Sequence, residues 1–455
     1  MNLLYIGSGF VGTCSGAVSA AGGHTVRIFD IDTNKINLLS SGDHKTIESC
    51  LYEEGLADLL IRNQERITFT SSYEDVVSFL DTCDAIFMCL PTPEIGETGE
   101  SDLSYYQKAA KTVSEALVKR NGGSQEKYIA IINKSTVPIE MVDETEKLFT
   151  AAGVKNYGVV SNPEFLVEGK AIQGSIKPDR IVVGAWHERD FEIMRQLYNR
   201  FYDSPTVEYI EVNPKEAAAS KLLANFYLLS KLALCFDVIG RTCELFPDVR
   251  FEQIRRVLST DSRIGEWGLF DSLYAGGSCL TKDTRSLAHQ LRERGYDPVL
   301  VDSVYSANER QLQRFLARVE ECGFSWENKK IALLGTAFKR DTNDTRNAPS
   351  LKIADFLLTK QVREVRVYDP AASSVFLKQY TQPQFTLATT EEEAIDGADI
   401  IILATDWPQF RGLGSVLMNR SERPLILDGR RILQQQYTEL EKAGFHIISV
   451  GSTFI

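Results

Sequence analysis

One cysteine of this 455-residue chain lies among residues that could equip a nucleophile. It is Cys279, which follows Gly276-Gly277-Ser and precedes Lys282 and Asp283. Adjacent glycines let backbone N–H groups approach a ligand. An ammonium within one helical turn favours the thiolate, which is the nucleophilic form of cysteine. The stretch therefore predicts a reactive thiol with acid/base groups beside it, and the alternative is a glycine-rich turn before an amphipathic helix that buries its cysteine.

The N-terminus carries a dinucleotide-binding pattern. A short apolar strand at residues 3–6 leads into Gly7-Ser-Gly-Phe-Val-Gly12 and then into a helix of small residues over 13–21. Gly7 makes the turn, Gly9 lets the backbone approach a pyrophosphate, and Gly12 packs helix against strand. A second strand at 25–29 ends in Asp30, where a carboxylate binds ribose hydroxyls and repels a 2′-phosphate. The pattern predicts NAD rather than NADP.

Polar residues follow later strands of the same predicted sheet. Strands at 85–89 and 128–132 run into loops that contain Thr92 and Thr136, and a strand near 159–161 runs into a loop with Glu164 and Glu168. Ligands of an open α/β sheet bind beyond the carboxyl ends of its strands, so the hydroxyls could contact cofactor or substrate and the carboxylates could act as acid or base. The alternatives are plain turns and solvated glutamates.

Long helices replace this alternation from about residue 211, and a second α/β pattern begins near 329. The helix expected over 216–242 places Lys221 and Asn225 on one face and is long enough to bridge domains and to form an oligomer face. The later loops carry Lys339, Arg346 and Arg430, cations suited to an anion. We expect an α/β protein with two Rossmann-like doubly wound domains joined by a long central helix and a helical segment. The predicted domains are 1–208 for NAD, 209–327 for the helices with the cysteine, and 328–455 for the second α/β domain, whose loops are suited to an anion.

Composition excludes several classes of protein. The net charge of −12 argues against nucleic acid as the main partner. No uninterrupted apolar run reaches the roughly 18 residues of a membrane span, and the N-terminus leads straight into a strand, so we expect no membrane segment, no signal peptide and a cytoplasmic protein. The eight cysteines include no C-x-x-C pair and the five histidines show no ligand spacing. We therefore expect neither a metal site nor a disulfide framework.

In combination these motifs resemble those of the UDP-glucose/GDP-mannose dehydrogenase family, over essentially the whole chain. The motifs that carry the resemblance are the Gly7–Gly12 fingerprint, Leu90-Pro-Thr-Pro93, Ser135-Thr-Val-Pro138, Asn162-Pro-Glu-Phe-Leu166, Lys221 with Asn225, Gly276-Gly-Ser-Cys279, Lys282-Asp283, and Gly335-Thr-Ala-Phe-Lys339 with Arg346. The resemblance implies oxidation of a nucleotide sugar's C6 alcohol to a carboxylate with two NAD, and it implies that the domain at 328–455 binds the UDP-sugar. It also implies at least a homodimer through the central helix.

The resemblance also implies a role for each site residue. The catalytic group would be Cys279, Lys221, Asp283, Glu164, Asn225 and Thr136. Contacts to NAD would come from Gly7, Gly9, Phe10, Val11, Gly12, Asp30, Lys35, Thr92, Thr136, Glu168, Lys282 and Arg346. Contacts to the sugar nucleotide would come from Glu164, Phe165, Leu166, Lys221, Asn225, Gly276, Phe338, Lys339 and Arg430, with Arg263 reaching a neighbouring subunit's substrate.

The substrate branch rests on finer features of the sequence. Gly335-Thr-Ala-Phe-Lys339 and Asn347-Ala-Pro-Ser350 look more like the branch that uses UDP-glucose than the one that uses GDP-mannose. Ser278 weighs against the N-acetylmannosamine branch, which usually has histidine there. One departure is that Tyr274-Ala275 precedes Gly276, where the family usually has glycine followed by an aromatic residue. The open alternatives are another nucleotide sugar, a two-electron hydroxyacid dehydrogenase, and a non-catalytic nucleotide-sugar-binding protein.

Overall fold

The computed structural model describes residues 1–120, 126–202 and 204–453. The chain divides into two units, Met1–Ala224 and Asn225–Ile455. The helix that carries Lys221 and Asn225 continues from the first unit into the second. The predicted three-domain boundaries stay a prediction.

The first unit is built on an eight-stranded sheet. The strands are β1 Asn2–Ile6, β2 Thr25–Phe29, β3 Ile67–Thr70, β4 Ala85–Met88, β5 Ile129–Asn133, β6 Tyr157–Ser161, β7 Arg180–Gly184 and β8 Glu208–Val212. Their order is β3-β2-β1-β4-β5-β6-β7-β8, and the paired neighbours are parallel except β6 and β7, which are antiparallel. The reversal between β1 and β4 is the crevice at which a doubly wound sheet binds its ligand.

Apolar side chains cover both faces of this sheet. Leu3 and Tyr5 of β1 belong to one core cluster, and Leu4 and Ile6 belong to the cluster on the other face. This alternation follows from the two-residue repeat of a strand, and burial on both faces is why the central strands are continuous apolar runs. The helices of the first unit are α1 Phe10–Ala21, α2 Thr33–Leu39, α3 His44–Cys50, α4 Leu56–Arg62, α5 Tyr73–Leu80, α6 Ser104–Lys119, α7 Met141–Ala151, α8 Ala171–Ile176, α9 Glu188–Leu197 and α10 Asn199–Tyr202.

The central helix is interrupted by a π-helical turn. It runs as α11 Pro214–Leu234, continues as the π turn Cys235–Gly240, and ends as α12 Arg241–Leu245. A side chain at Gly240 would contact the Asp271 carboxylate at 2.5 Å, so only glycine allows this approach. Among the described residues, Pro214–Leu245 is also the one helix that meets the length and composition of a membrane span, with 39% of its apolar window buried. Buried helices of ordinary globular proteins have the same properties.

The second unit contains a six-stranded parallel sheet. Its strands are β9 Lys330–Leu334, β10 Glu364–Tyr368, β11 Phe385–Leu387, β12 Ile400–Leu403, β13 Leu425–Asp428 and β14 Ile447–Ser449. The order β11-β10-β9-β12-β13-β14 is the Rossmann order 3-2-1-4-5-6. Its helices are α13 Phe251–Ser259, α14 Leu280–Glu293, α15 Val299–Glu321, α16 Pro349–Thr359, α17 Ser373–Leu377, α18 Glu391–Ile395, α19 Leu413–Met418 and α20 Tyr437–Lys442, with a 3-10 turn at Pro408–Gly412. The predicted fold class is confirmed.

Candidate active site

The glycine fingerprint forms a tight turn between β1 and α1. Gly7 has φ of 104°, and a Cβ there would collide with the Cys89 carbonyl oxygen. A Cβ on Gly12 would collide with the Gly7 carbonyl, whereas a Cβ on Gly9 would meet nothing within 4 Å. Gly7 and Gly12 are therefore fixed by packing, and Gly9 borders open space.

The first turn of α1 can accept a pyrophosphate. No side chain caps this helix, and its first turn contains no acidic residue. Phe10 and Val11 pack their side chains against the core. The groups of Phe10 and Val11 that could bind a pyrophosphate are therefore their backbone N–H groups, at the positive end of the helix dipole. These features fit the pyrophosphate of NAD.

Asp30 lies beside this turn, at the end of β2. Its Oδ2 accepts hydrogen bonds from the Ser8 N–H and hydroxyl, both at 2.7 Å, and its Oδ1 accepts one from the Asp32 N–H at 3.0 Å. Burial by itself raises the pKa of Asp30, but these hydrogen bonds, aided by the charge of Lys35, outweigh it and hold the pKa below its usual value. The ionised carboxylate suits ribose hydroxyls and disfavours a 2′-phosphate.

The loops after β4 and β5 are tied together. The Thr92 hydroxyl donates to the Thr136 carbonyl at 2.8 Å, and the Ser135 hydroxyl donates to the Leu90 carbonyl at 2.7 Å. The Leu90 N–H donates in turn to the Ser135 hydroxyl. Both predicted threonines therefore lie at the carboxyl-end edge of the sheet, as expected from the strand pattern.

Glu164 and Lys221 form a buried ion pair in the first unit. Lys221 Nζ lies 3.1 Å from Glu164 Oε1, and the two side chains are 5% and 8% exposed. Glu164 Oε2 accepts from the Leu166 N–H at 2.5 Å, which fixes the carboxylate to its own loop. The Phe165 ring stacks under the guanidinium of Arg180, with the Lys221 ammonium 5.4 Å from its centroid. The structure therefore brings Glu164, Phe165, Leu166 and Lys221 together.

The sequence did not reveal a second buried lysine next to this pair. Lys134, two residues before Thr136, donates to Asn162 Oδ1 at 2.9 Å, and the Tyr198 hydroxyl donates to the same oxygen at 2.7 Å. Burial lowers the pKa of Lys134 to about 8, against the opposing effects of Cys89 and Glu164, while Lys221 lowers it further. Its only sequence signal was its place in the loop after β5.

Glu53 is another residue that sequence reasoning missed. Its buried carboxylate accepts from the Gly169 N–H at 2.5 Å and from the Ala171 N–H at 3.1 Å. Glu53 thereby anchors the end of the loop that carries the predicted cofactor contact Glu168. The residues joined are more than 100 positions apart, which hides the contact from pattern analysis.

In the second unit, Cys279 is the N-cap of α14 and its side chain is exposed. Five of the other cysteines are buried, and burial raises the pKa of two of them, Cys83 and Cys89, to about 12. A thiol at a helix N-terminus experiences the positive end of the dipole, which favours thiolate. The alternative of a buried structural cysteine is wrong for Cys279.

Asp283 contacts several polar residues around the start of α14. Asn225 Nδ2 donates to Asp283 Oδ2 at 2.6 Å, and Lys282 Nζ lies 2.6 Å from Asp283 Oδ1. The Asp283 side chain is 1% exposed, and its N–H donates to the Cys279 carbonyl at 2.9 Å. Asn225, Cys279, Lys282 and Asp283 thus form one group.

Four of the predicted sugar-nucleotide residues, Gly276, Phe338, Lys339 and Arg430, lie around the glycine loop of the second unit. A Cβ at Gly277 would contact the Phe338 ring at 2.8 Å, so the loop lies flat on that ring. Arg430 donates to the Ala404 carbonyl at 2.8 Å and the Phe338 carbonyl at 2.9 Å, and burial lowers its pKa. The ammonium of Lys339 lies 5.7 Å from the Phe338 ring centroid.

The second sheet differs from the first where the ribose carboxylate would lie. Asp369, after β10, is buried and accepts from the N–H groups of Thr336 and Ala337 at 2.6 and 3.0 Å and from Trp407 Nε1 at 3.0 Å. These donors occupy the carboxylate that corresponds to Asp30. The second unit has the Rossmann topology without an accessible ribose carboxylate at this position.

Two predicted arginines lie in exposed loops of the second unit. Arg263 forms an ion pair with Asp261 at 2.6 Å and its side chain is 87% exposed. Arg346 binds both carboxylate oxygens of Asp344 through its Nε and Nη2. Each arginine is paired with an aspartate two residues before it, and the predicted contacts to substrate and cofactor stay predictions.

A dinucleotide fingerprint on the doubly wound sheet of the first unit is typical of NAD-dependent dehydrogenases. The second unit carries an exposed thiol at a helix N-terminus. Residues 1–202 match the NAD binding domain of the UDP-glucose/GDP-mannose dehydrogenase family, residues 215–310 match its central domain, and residues 332–435 match its UDP binding domain. The chain belongs to this family, and the prediction of NAD as cofactor is confirmed.

Full-length relatives support the assignment. The UDP-glucose 6-dehydrogenase of Pseudomonas aeruginosa is 34% identical, over 95% of this chain and 94% of that protein. UDP-glucose 6-dehydrogenase TuaD of Bacillus subtilis is 33% identical, over 98% and 92%. A UDP-glucose dehydrogenase structure from Pyrobaculum islandicum superposes with a TM-score of 0.84 at 28% identity, covering 96% of this chain and 95% of that one. A UDP-D-ManNAc dehydrogenase structure from Pyrococcus horikoshii, at 24% identity and a TM-score of 0.81 over 99% of each chain, shares the fold.

Proposed function

We propose that the chain oxidises UDP-glucose at C6 to UDP-glucuronate in two successive two-electron steps. The observation that carries this proposal is the match, over almost the whole chain, to relatives named UDP-glucose 6-dehydrogenase. The UDP binding domain and the thiol at the start of α14 support it. NAD supplies the hydride acceptor for both oxidations, and the Gly7–Gly12 turn with Asp30 would hold it.

Cys279 provides the covalent step. Its thiolate adds to the C6 aldehyde to form a thiohemiacetal, and oxidation of that adduct gives a thioester. Water then attacks the thioester carbonyl, the carbon–sulfur bond breaks, and the products are a carboxylate and the free thiol. One molecule of alcohol and one of water thus yield one carboxylate, two hydrides that two NAD accept, and three protons. The covalent link keeps the aldehyde from leaving between the two oxidations.

Polar residues of the two groups would assist these steps. Lys221 and Asn225 carry hydrogen-bond donors and would stabilise the oxyanion of the adduct. Asp283 and Thr136 would hold or activate water, and Glu164 would act in hydrolysis. The ion pair of Glu164 with Lys221 and the hydrogen bond of Asn225 with Asp283 support paired roles, because each donor already faces a carboxylate.

The remaining site residues would bind nucleotide and sugar. Gly276, Phe338, Lys339 and Arg430 would contact the sugar nucleotide in the second unit. Arg430 is already held by two carbonyls, which supports a role in shaping the loop as well as in binding. The other cofactor contacts, which rest on the resemblance, would be Lys35, Thr92, Glu168, Lys282 and Arg346.

A cysteine pair tests this proposal. We expect Cys279→Ser to abolish uronate formation while NAD binding, measured by fluorescence titration, stays within about twofold of the parent. Cys322→Ser is the control, because Cys322 is a partly buried free thiol in the same unit. Near-normal uronate formation by Cys279→Ser would refute the thioester route. GDP-mannose and UDP-N-acetylglucosamine, tested alongside UDP-glucose, separate the substrate alternatives, and turnover of either one alone would overturn the proposed substrate.

We also propose that the protein is a homodimer through the central helix. Six apolar residues from α11 to the C-cap of α12 are more than half exposed: Leu223, Tyr227, Leu234, Val238, Leu245 and Phe246. Exposed apolar residues that recur at spacings of four and seven along one helix are typical of an interface. Leu234→Glu should shift the mass by light scattering to one chain, whereas Leu387→Glu, on the exposed β11, should not. An unchanged mass for Leu234→Glu would contradict the proposal.

A further inference from the structure

The loop that precedes Cys279 is held by buried amides on one side. Asn308 of α15 accepts a hydrogen bond from the Ala275 N–H at 2.8 Å and donates one to the Ala275 carbonyl at 3.1 Å. Its side chain is completely buried. One amide group therefore satisfies both backbone groups of a loop residue and fixes the loop against α15.

Asn347 holds the same loop on both sides of the nucleophile. Its Nδ2 donates to the Gly277 carbonyl at 3.2 Å and to the Thr281 hydroxyl at 2.9 Å, and its own carbonyl accepts from the Gly277 N–H at 3.3 Å. Gly277 lies two residues before Cys279, and Thr281 lies two residues after it in the first turn of α14. The contacts of Asn347 thus link the loop to the helix across the cysteine.

The backbone of Asn347 is adapted to this position. Its φ is 50°, in the left-handed region where asparagine is one of the few tolerated side chains. A Cβ at Gly276 would lie 2.7 Å from the Asn347 carbonyl oxygen. The close approach therefore requires glycine at position 276 and, at position 347, a residue that tolerates the left-handed backbone region.

Tyr274 connects this contact to the body of the unit. Its hydroxyl lies 2.6 Å from Glu309 Oε1 and 3.0 Å from Asn347 Oδ1, and its single proton is shared between these two acceptors. Lys352 pairs with Glu309 at 2.9 Å and lies 5.1 Å from the Tyr274 ring centroid. Tyr274 belongs to the sequence departure noted above, and in this chain its hydroxyl orients the Asn347 amide so that Nδ2 faces Gly277 and Thr281.

We propose that Asn347 is a positioning residue that holds the Cys279 thiol at the N-terminus of α14, and that Tyr274 orients it. The contribution of Asn347 to turnover rests on the proposed function. Its effect on the thiol does not, because that effect is a property of the resting protein. A displaced thiol would lose part of the helix-dipole stabilisation of its thiolate and its alignment with the reacting carbon.

Asn347→Gly tests the proposal, since glycine keeps the left-handed backbone and removes only the side chain. Asn328→Gly is the matched control, because Asn328 is an exposed asparagine with φ of 58° in the same unit. The primary readout is the pH profile of Cys279 alkylation by iodoacetamide, followed by peptide mass spectrometry without substrates. We expect Asn347→Gly to move the midpoint to higher pH by about 0.5 unit, and Asn328→Gly to leave it unchanged.

Turnover gives the second readout. We expect kcat of Asn347→Gly to fall about 10- to 100-fold with the KM for NAD unchanged. Asn347→Asp keeps the acceptor for Tyr274 but loses the Nδ2 donors, so it should not restore kcat. Tyr274→Phe, which keeps the ring, should shift the alkylation profile in the same direction and less far. An alkylation profile that matches the parent in Asn347→Gly would overturn the proposal, and so would a kcat restored by Asn347→Asp. If the parent protein does not oxidise UDP-glucose, the proposed function fails while the alkylation profile still decides the role of Asn347.

Discussion

Lys134 gives the first unit a stability that depends on pH. The side chain is 7% exposed and its ammonium donates to Asn162. We consider Lys134→Met, which keeps an unbranched apolar chain of similar length and removes the charge. Burial disfavours the charged form of the lysine, so folding carries a cost wherever the amine is protonated.

The magnitude follows from the two pKa values of this amine. Burial lowers the pKa of Lys134 from 10.5 to about 8 in the folded chain. The unfolded state therefore binds more protons between pH 8 and 10.5, and the free energy of unfolding rises with pH in that window. Below pH 8 the buried amine is charged in the folded chain, and the full cost of burying that charge lowers the free energy of unfolding. This cost disappears as the pH rises toward 10.5, because the amine is then neutral in the folded chain. Between pH 7 and pH 10 the parent should gain about 2.5 kcal/mol relative to Lys134→Met.

Urea unfolding of parent and variant at pH 7 and pH 10 measures this difference, because comparing the two proteins at each pH cancels the titration of all other groups. Lys177→Met, at an exposed lysine of the same unit, is the control and should show no such gain. Parallel stability curves for the parent and Lys134→Met would refute the assignment of a strongly lowered pKa to Lys134.

Three further predictions concern a buried ion pair, a buried aspartate and the tight turn at Gly7. Glu164→Gln and Lys221→Met should each cost about 3 to 5 kcal/mol of stability, because each leaves a buried charge without its ionic partner. The double variant should cost less than the sum of the two single variants. Additive losses in urea unfolding would contradict the ion pair. Burial raises the pKa of Asp271 to about 7, so the free energy of unfolding should fall by about 4 kcal/mol as the pH rises from below 4 to 7. Asp271→Asn should lose this pH dependence when unfolding is measured at pH 4 and pH 8. A pH dependence equal to the parent's would contradict the raised pKa. Gly7→Ala should abolish NAD binding in a fluorescence titration, because position 7 has a positive φ and an alanine Cβ there would collide with the Cys89 carbonyl oxygen. Unchanged affinity for NAD would contradict the tight turn.

The elements that the sequence predicted well are those with a local signal. Strands such as β2 Thr25–Phe29 and β9 Lys330–Leu334 were predicted with the observed ends because short apolar runs between turn residues identify buried strands. Helix α1 begins at Phe10 rather than Thr13, since the last three residues of the fingerprint already adopt helical geometry. The predicted continuous helix over 216–242 is helical throughout but contains a π turn at Cys235–Gly240.

The parts of the site that the sequence could not predict depend on contacts between distant residues. Lys134 meets Asn162, which is 28 residues away, and Asn347 meets Gly277, which is 70 residues away. Neither contact has a periodic or compositional signature. The pairing of Lys282 with Asp283 is also a structural result, because adjacent residues on a helix usually point in different directions.

The stoichiometry of the reaction tests the central claim most directly. With UDP-glucose limiting and NAD in excess, we expect two NADH per sugar nucleotide and a product whose mass is that of UDP-glucuronate. That result requires both oxidations at C6 and the release of the acid. One NADH per sugar nucleotide with a stable aldehyde product would contradict the cysteine-linked double oxidation.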